Sequence, residues 1–304
     1  MTRSFSAERI AVATRVGLLF LLVSTIAMGQ VRKDCGGGIT MKLTAGFVSQ
    51  GSLLLADVAS TKKLPAVTSE WDGHPQALWQ EGQRTSTLHA LIGIDLEKPP
   101  GKYEWKISWS GPDGNELSCS VPIVVRTGKF PTEHLNVEQQ YVQPDPEQEK
   151  RAAEDQKKMR AIYDTVTPER LWDGKFRLPL KDVTTGGNFG RRRVLNGQAR
   201  SPHSGVDFPA AAGTAVFASQ NGKVVLAEEL YYSGNTVVID HGYGIYTMYC
   251  HLSKIAVAAG DAIKAGDELG KVGATGRVTG PHLHWALTIQ HARVNGMQIV
   301  AREP

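Results

Sequence analysis

Apolar residues in this chain come in short packets, and this feature most limits what it can fold into. Between residues 38 and 126 they form brief or alternating runs such as Phe47–Val48, Leu53–Val58, Leu88–Ile94, Tyr103–Ser110 and Cys119–Arg126. Turn sequences, including Pro99-Pro-Gly101 and Pro112-Asp-Gly114, separate them. From Leu171 onward the pattern returns as Ala215–Ala218, Lys223–Ala227, Thr236–Asp240 and Ile245–Cys250, bounded by Asn221-Gly222 or by single glycines. Packets of this length, rich in β-branched and aromatic residues, suit strands and are too short for amphipathic helices. Glycines at 260, 266, 270 and 273 mark positions where very short strands can reverse. A mainly β chain in two blocks is expected, the first a small β-sandwich over 30–131 and the second a predominantly β unit over 171–304.

Between the blocks the composition changes. Glu, Lys, Arg, Gln and Ala dominate Glu147–Ala161, which follows Pro144-Asp-Pro146 and precedes Thr167-Pro168. Propensity and charge pattern predict a solvated helix in a linker spanning 132–170.

The charge total of +4 over 304 residues suggests a polyanion binder at first sight. Residues 1–29 weaken that reading. Arg3, Arg9 and Arg15 precede an apolar run, Val16–Met28, that ends in the small residues Ala27 and Gly29. A basic start, a short apolar core and a small-residue ending describe a secretory signal, shorter than the ~20 residues that cross a bilayer. Its removal takes away three Arg and one Glu, so the charge falls to +2. The expectation is therefore an exported protein of the periplasm or cell envelope, with no membrane span after signal cleavage and no nucleic-acid partner. In an oxidising compartment Cys35 and Cys119 can pair and leave Cys250 free, one of three possible pairings.

Six of the nine histidines fall after Leu171, and two clusters stand out: His203-Ser-Gly-Val-Asp207 and Pro281-His282-Leu-His284. In an extended segment residues i, i+2 and i+4 share a face, so His203 and Asp207 point the same way with Gly205 between them. His282 and His284 share a face of a second strand for the same reason. Imidazole and carboxylate are zinc ligands, and catalytic zinc keeps three protein ligands and an open position. The two clusters supply that set with one histidine to spare. No H-E-x-x-H sequence is present, so a glutamate base on a helix is not indicated. His74, His89, His134 and His291 lack such partners nearby, and His241 is read as a strand-end residue.

Taken together, the clusters resemble the M23 family of zinc metallopeptidases, the lysostaphin-like or LytM-type peptidoglycan endopeptidases. The resemblance runs from about Leu171 to Gln290 through Asn188-Phe-Gly-Arg-Arg-Arg193, His203-Ser-Gly-Val-Asp207, Val238-Ile-Asp-His-Gly242, Tyr249-Cys-His-Leu252 and Gly273-Ala-Thr-Gly-Arg-Val-Thr-Gly-Pro-His-Leu-His-Trp285. It implies one Zn²⁺ held by His203, Asp207 and His284, with His251 and His282 catalytic. It implies a C-terminal antiparallel β domain of the lysostaphin-like (duplicated hybrid motif) type, and an N-terminal immunoglobulin-like sandwich of the kind that precedes such domains. Peptidoglycan is then the expected partner and substrate, cut at D-Ala to diaminopimelate cross-links, with Arg192 or Arg193 able to contact substrate carboxylates. The rival is an inactive LytM-type domain that binds and activates an amidase. Such domains lack one or more metal ligands, whereas all three positions are filled here. A regulatory partner is not specified, and the 144–170 spacer is a candidate for covering the groove.

Overall fold

The computed structural model describes residues 29–81 and 86–301. The basic and apolar parts of the expected signal lie outside the described residues. Among the described residues no helix is long and apolar enough to cross a membrane.

The first block contains β1 (Val31–Gly36), β2 (Ile39–Leu43), β3 (Phe47–Ser49), β4 (Leu53–Ser60), β5 (Val67–Trp71), β6 (His74–Pro75), β7 (Thr87–Gly93), β8 (Gly101–Ser110) and β9 (Glu116–Arg126). They form two sheets, ordered β1-β2-β4-β7 and β3-β9-β8-β5-β6. Alternation decides which side of each strand faces in: Trp105, Ile107 and Trp109 of β8 and Val121, Ile123 and Val125 of β9 are buried, and the residues between them, Lys106 and Ser108 on β8 and Pro122 and Val124 on β9, face out. They meet Met41, Leu54, Ala56, Val58 and Ile92 from the facing sheet. A disulfide joins Cys35 of β1 to Cys119 of β9, and Cys250 is free and buried.

The Leu53–Leu55 end of β4 and the Leu91–Gly93 end of β7 are buried on both faces. Leu54, Ala56, Ala90 and Ile92 enter the sandwich core, while Leu53 and Leu91 enter the core of the C-terminal block. Trp79 joins them there, 5.2 Å from the Trp172 ring in an edge-on contact. The approach is close: a Cβ on Gly93 would lie 2.7 Å from Ala292 Cβ and 2.9 Å from the Ile289 carbonyl oxygen. Arg293 grips Asp95 in a fork, with Nη2 2.7 Å from Oδ1 and Nε 2.9 Å from Oδ2. The two blocks are thus packed together.

Residues 132–170 hold more than a helix. The strand β10 (Thr132–Leu135) pairs in parallel with β11 (Arg192–Leu195), which pairs with β12 (Gln198–Arg200). The helix α1 (Pro146–Asp164) starts at a capping box formed by Asp145 and Gln148, with Pro146 at its first position. It is docked rather than solvated all round. Met159, Ile162 and Tyr163, at i, i+3 and i+4, pack on Leu226, Leu230, Val238 and Tyr246.

The C-terminal block continues with β13 (Val206–Pro209), β14 (Ala215–Phe217), β15 (Gly222–Leu230), β16 (Gly234–Asp240), β17 (Ile245–Ile255), β18 (Ala262–Ile263), β19 (Glu268–Val272), β20 (His282–Ile289), β21 (Ala292–Val294) and the short α2 (Met297–Val300). Its nine-stranded sheet runs β13-β20-β17-β16-β15-β18, with β14, β19 and β21 paired off that path. The molecule is mainly β and its sheets are mostly antiparallel. One face of β13, β17 and β20 buries Val206, Phe208, Tyr249, Leu283, Trp285 and Leu287. By the pleat the opposite face carries Asp207 and His284, which are register partners, followed along the sheet by Ala286 opposite Met248 and Thr288 opposite Tyr246. Helix α1 contacts Tyr246 and Met248, so it lies on the face that displays the histidines.

Candidate metal centre

Asp207 on β13 and His284 on β20 stand directly opposite each other, and His203 reaches the same point from the loop before β13. That loop is held by its backbone: His203 N–H donates to the Arg191 carbonyl at 2.9 Å and Gly190 N–H to the His203 carbonyl at 2.8 Å. A side chain at residue 205 would be intolerable, because its Cβ would fall 2.5 Å from His284 Nε2. His203 Nε2 is 2.8 Å from His284 Nδ1, and Asp207 Oδ1 is 3.0 Å from each of these nitrogens. A triangle of that size lets one ion reach all three donors at the ~2.0–2.2 Å of zinc–nitrogen and zinc–oxygen bonds. The three residues could therefore hold a metal ion.

The electrostatics suit that use. Burial alone would raise the Asp207 carboxyl, but hydrogen bonds from His203 and His284 outweigh it and hold the group well below the usual carboxylate range. Burial lowers His284 to about 4, against the pull of Asp207, so its ring is neutral at pH 7. Neutral imidazoles and an ionised carboxylate are the protonation states a metal requires. Asn188 adds a further contact, its Nδ2 donating to Asp207 Oδ2 at 3.2 Å.

His282 and His251 flank the triangle. His282 Nε2 lies 3.7 Å from Asp207 Oδ1, and the His251 and His282 rings are 4.9 Å apart. Each has its Nδ1 2.9 Å from a carbonyl oxygen, Thr275 for His251 and Gly280 for His282. A carbonyl only accepts, so Nδ1 is the protonated nitrogen in each ring and Nε2 is left as the nitrogen that can gain or lose a proton. Burial, and after it the repulsion that a protonated His284 or His282 would exert, push His251 down to about 3, leaving it neutral at pH 7. Regular alternation after Tyr249 would send His251 into the core. A left-handed backbone at residue 251, φ 63°, breaks the alternation beside irregular pairing with β16 and β19. Cys250, the register partner of His284, is buried and is not one of the three clustered donors.

A cleft of about 270 Å³ opens beside these groups, bordered by Asp207, His251, His282, Arg193, Arg277 and Glu133. Of the two arginines expected near substrate, Arg193 lines this cleft and Arg192, one residue along β11, is exposed and does not. Arg193 is not free: its Nε is 3.3 Å from Glu133 Oε1, and Arg191 Nη1 is 3.4 Å from the other carboxylate oxygen. Glu133, Asn188 and Arg277 were not singled out from the sequence. Asn188 had a usable signal, an asparagine just before Phe-Gly. Its φ of 71° is one that asparagine tolerates better than most residues. Glu133 had none, since a chance-looking acid in β10 meets β11 only through the fold. His241 lies apart from the cluster, fully buried, with Nδ1 2.7 Å from the Asn221 carbonyl and Nε2 2.7 Å from the Thr247 hydroxyl.

The model for peptidase family M23 matches residues 201–296. The crystal structure of a protein described as a peptidase M23 from Pseudomonas aeruginosa is similar at 30% identity and a TM-score of 0.57, covering 81% of this chain and 92% of that one. The chain belongs to peptidase family M23. Among curated M23-like relatives, the peptidoglycan DD-endopeptidase ShyA of Vibrio cholerae serotype O1 is 46% identical over 112 residues, 36% of this chain and 26% of that protein. The DD-carboxypeptidase/endopeptidase Mpg of Neisseria gonorrhoeae is 39% identical over 102 residues, 34% of this chain and 24% of that protein. The chain thus matches about a quarter of the length of these curated relatives.

Proposed function

We propose that this M23 family member is a zinc-dependent endopeptidase that hydrolyses peptide cross-links of bacterial peptidoglycan, at the bond from D-Ala to diaminopimelate, in the periplasm or cell envelope. The observation that carries the reading is the convergence of His203, Asp207 and His284 on one point, with Nε2 of His251 and His282 beside it. The activities named for ShyA and Mpg support the substrate class.

In this reading His203, Asp207 and His284 hold the ion. Zinc, when bound, polarises a peptide carbonyl and brings the pKa of water toward ~7. One of His251 and His282 takes a proton at Nε2 from the attacking water and delivers it to the leaving amine. The other donates to the developing oxyanion from Nε2, which, with Nδ1–H held by a carbonyl, requires a second proton taken up from solvent before the attack. Their Nδ1–H bonds to Thr275 and Gly280 fix both rings for these tasks. The domain division belongs to the same proposal: a signal over 1–29, a sandwich over 30–131, a linker over 132–170 and the peptidase unit over 171–304. The linker contributes to the site through Glu133, and through α1 on the sheet face that carries Asp207 and His284.

The amidase-activator alternative is disfavoured by the complete donor set. Incubating the full chain and zinc with cross-linked muropeptides, followed by mass spectrometry, separates the two. The proposal expects dimers opened to monomers at the D-Ala carbonyl; intact dimers together with stimulation of an added amidase would support the alternative.

A further inference from the structure

Arg277 occupies an unusual position in the cleft. Its backbone N–H donates to the Tyr232 carbonyl at 2.8 Å, and its guanidinium lies over the Tyr232 ring, 4.5 Å from the centroid. The preceding Gly276 has a φ of 73°, and a Cβ there would lie 2.4 Å from the Gly234 nitrogen, so the loop sits tightly on the Tyr232–Gly234 turn. The side chain is therefore positioned from both ends, and it lines the same cleft as Asp207, His251 and His282.

What it lacks is an anion. Among the described residues no carboxylate oxygen lies within 4.0 Å of its guanidinium. Burial, followed by the like charges of Arg193 and Arg200, works against its positive charge. Glu133 is shared between Arg191 and Arg193, and Arg200 Nη2 is spent on the Val142 carbonyl at 2.6 Å and Gln198 Oε1 at 2.7 Å. A guanidinium does not lose its proton at working pH, so the wall keeps a surplus of positive charge that a planar anion would relieve.

We infer that Arg277 is a specificity-determining residue that binds a free carboxylate on the amine side of the scissile bond. The inference rests on the peptidase reading above and deepens it. In a bond between two D-centres the amine-side residue carries its carboxylate on the carbon bonded to the scissile nitrogen. That carboxylate must enter the cleft that holds the reacting atoms, where Arg277 offers a fork of N–H donors. A cross-link and a terminal D-amino acid present the same group, so endopeptidase and carboxypeptidase substrates share the recognition.

The test uses the zinc-loaded full chain and two cross-linked peptide dimers, one with a free carboxylate and one with a primary amide beside the scissile nitrogen. The wild type is expected to favour the free acid by ~10–100-fold in kcat/KM, the range of charge-assisted hydrogen bonds. In Arg277→Gln that ratio falls to about one, and Arg277→Lys, a point charge without the fork, keeps part of it. A second pair of substrates, with a terminal D-Ala free or amidated, is expected to show the same preference for the free acid. A Gln variant that slows both dimers by the same factor, with the ratio unchanged, would mean that Arg277 only props the Tyr232 turn and would overturn the inference. A wild type that opens both dimers equally fast would overturn it while leaving the peptidase reading intact. A wild type that opens neither would overturn both.

Discussion

The Asn188 amide offers a sharp test of how the metal centre is built. It donates to Asp207 Oδ2 at 3.2 Å, while Oδ1 faces the two imidazoles, so it fixes the rotation of the carboxylate. The backbone on either side is tied independently: Gly187 and Asp207 exchange N–H to carbonyl bonds at 3.1 and 2.9 Å. Removing the amide therefore loosens one ligand without releasing its strand. Losing a partner that orients a metal ligand costs ~10–100-fold in metal affinity, or ~1.4–2.7 kcal/mol. Two variants separate this from backbone strain. Asn188→Gly deletes the amide and accepts the left-handed φ of 71°, whereas Asn188→Ala deletes it and adds ~1–2 kcal/mol of strain. Competition with a chromophoric chelator should show both variants weakened for zinc by the same ~10–100-fold, and thermal unfolding of the metal-free chain should show the Ala variant clearly less stable than the Gly variant. An Asn188→Gly protein that binds zinc as tightly as the wild type would refute the positioning role.

Three further outcomes follow from the geometry. His251→Ala and His282→Ala should each keep zinc but lose ~10²–10⁴-fold in kcat, read by metal content and muropeptide cleavage, and loss of zinc from either would make it a ligand instead. Burial presses His241 to about 4 from an ordinary value near 6.5, so the unfolded chain takes up its proton first. Stability from this residue is full above pH ~6.5 and is lost as pH falls toward ~4, by ~3 kcal/mol. Denaturant titrations of the metal-free protein across that range should show a smaller loss in His241→Gln, and an unchanged slope would contradict the argument. The Cys35–Cys119 bond spans 84 residues, for which loop closure gives ~4.5 kcal/mol, so a reductant should lower the unfolding midpoint of the first block, and by the same amount in Cys250→Ala, because Cys250 is free.

Much of this molecule can be read from residue order, and the exceptions share a cause. Strands that meet water on one side announce themselves by alternation, as Tyr103–Ser110 does with Trp105, Ile107 and Trp109 facing in. The same rule holds for His282 and His284 on β20, whereas His203 meets Asp207 from a loop held by its own backbone bonds. Alternation is silent where a strand is buried twice. Nothing in Leu53–Val58 says that Leu53 enters one core and Leu54 another, since both are simply apolar. The helix over Pro146–Asp164 reads as solvated because three apolar contacts, Met159, Ile162 and Tyr163, are few against its charges. His251 defeats a strand-based argument outright, because its side is set by one left-handed residue. Arg192 and Arg193 look equivalent in sequence, and only the pairing of β11 with β10 decides which one faces the cleft.

In the proposed function, one ion held by His203, Asp207 and His284 makes this chain a peptidase. The most direct measurement is zinc stoichiometry and cross-linked muropeptide cleavage on the same preparations of wild type and His203→Ala, before and after chelation and zinc return. One zinc per wild-type chain is expected, with cleavage that disappears on chelation and returns with zinc, and a His203→Ala protein that folds but neither retains zinc nor cleaves. Cleavage by His203→Ala at the wild-type rate, or wild-type cleavage indifferent to zinc, would contradict the proposed function.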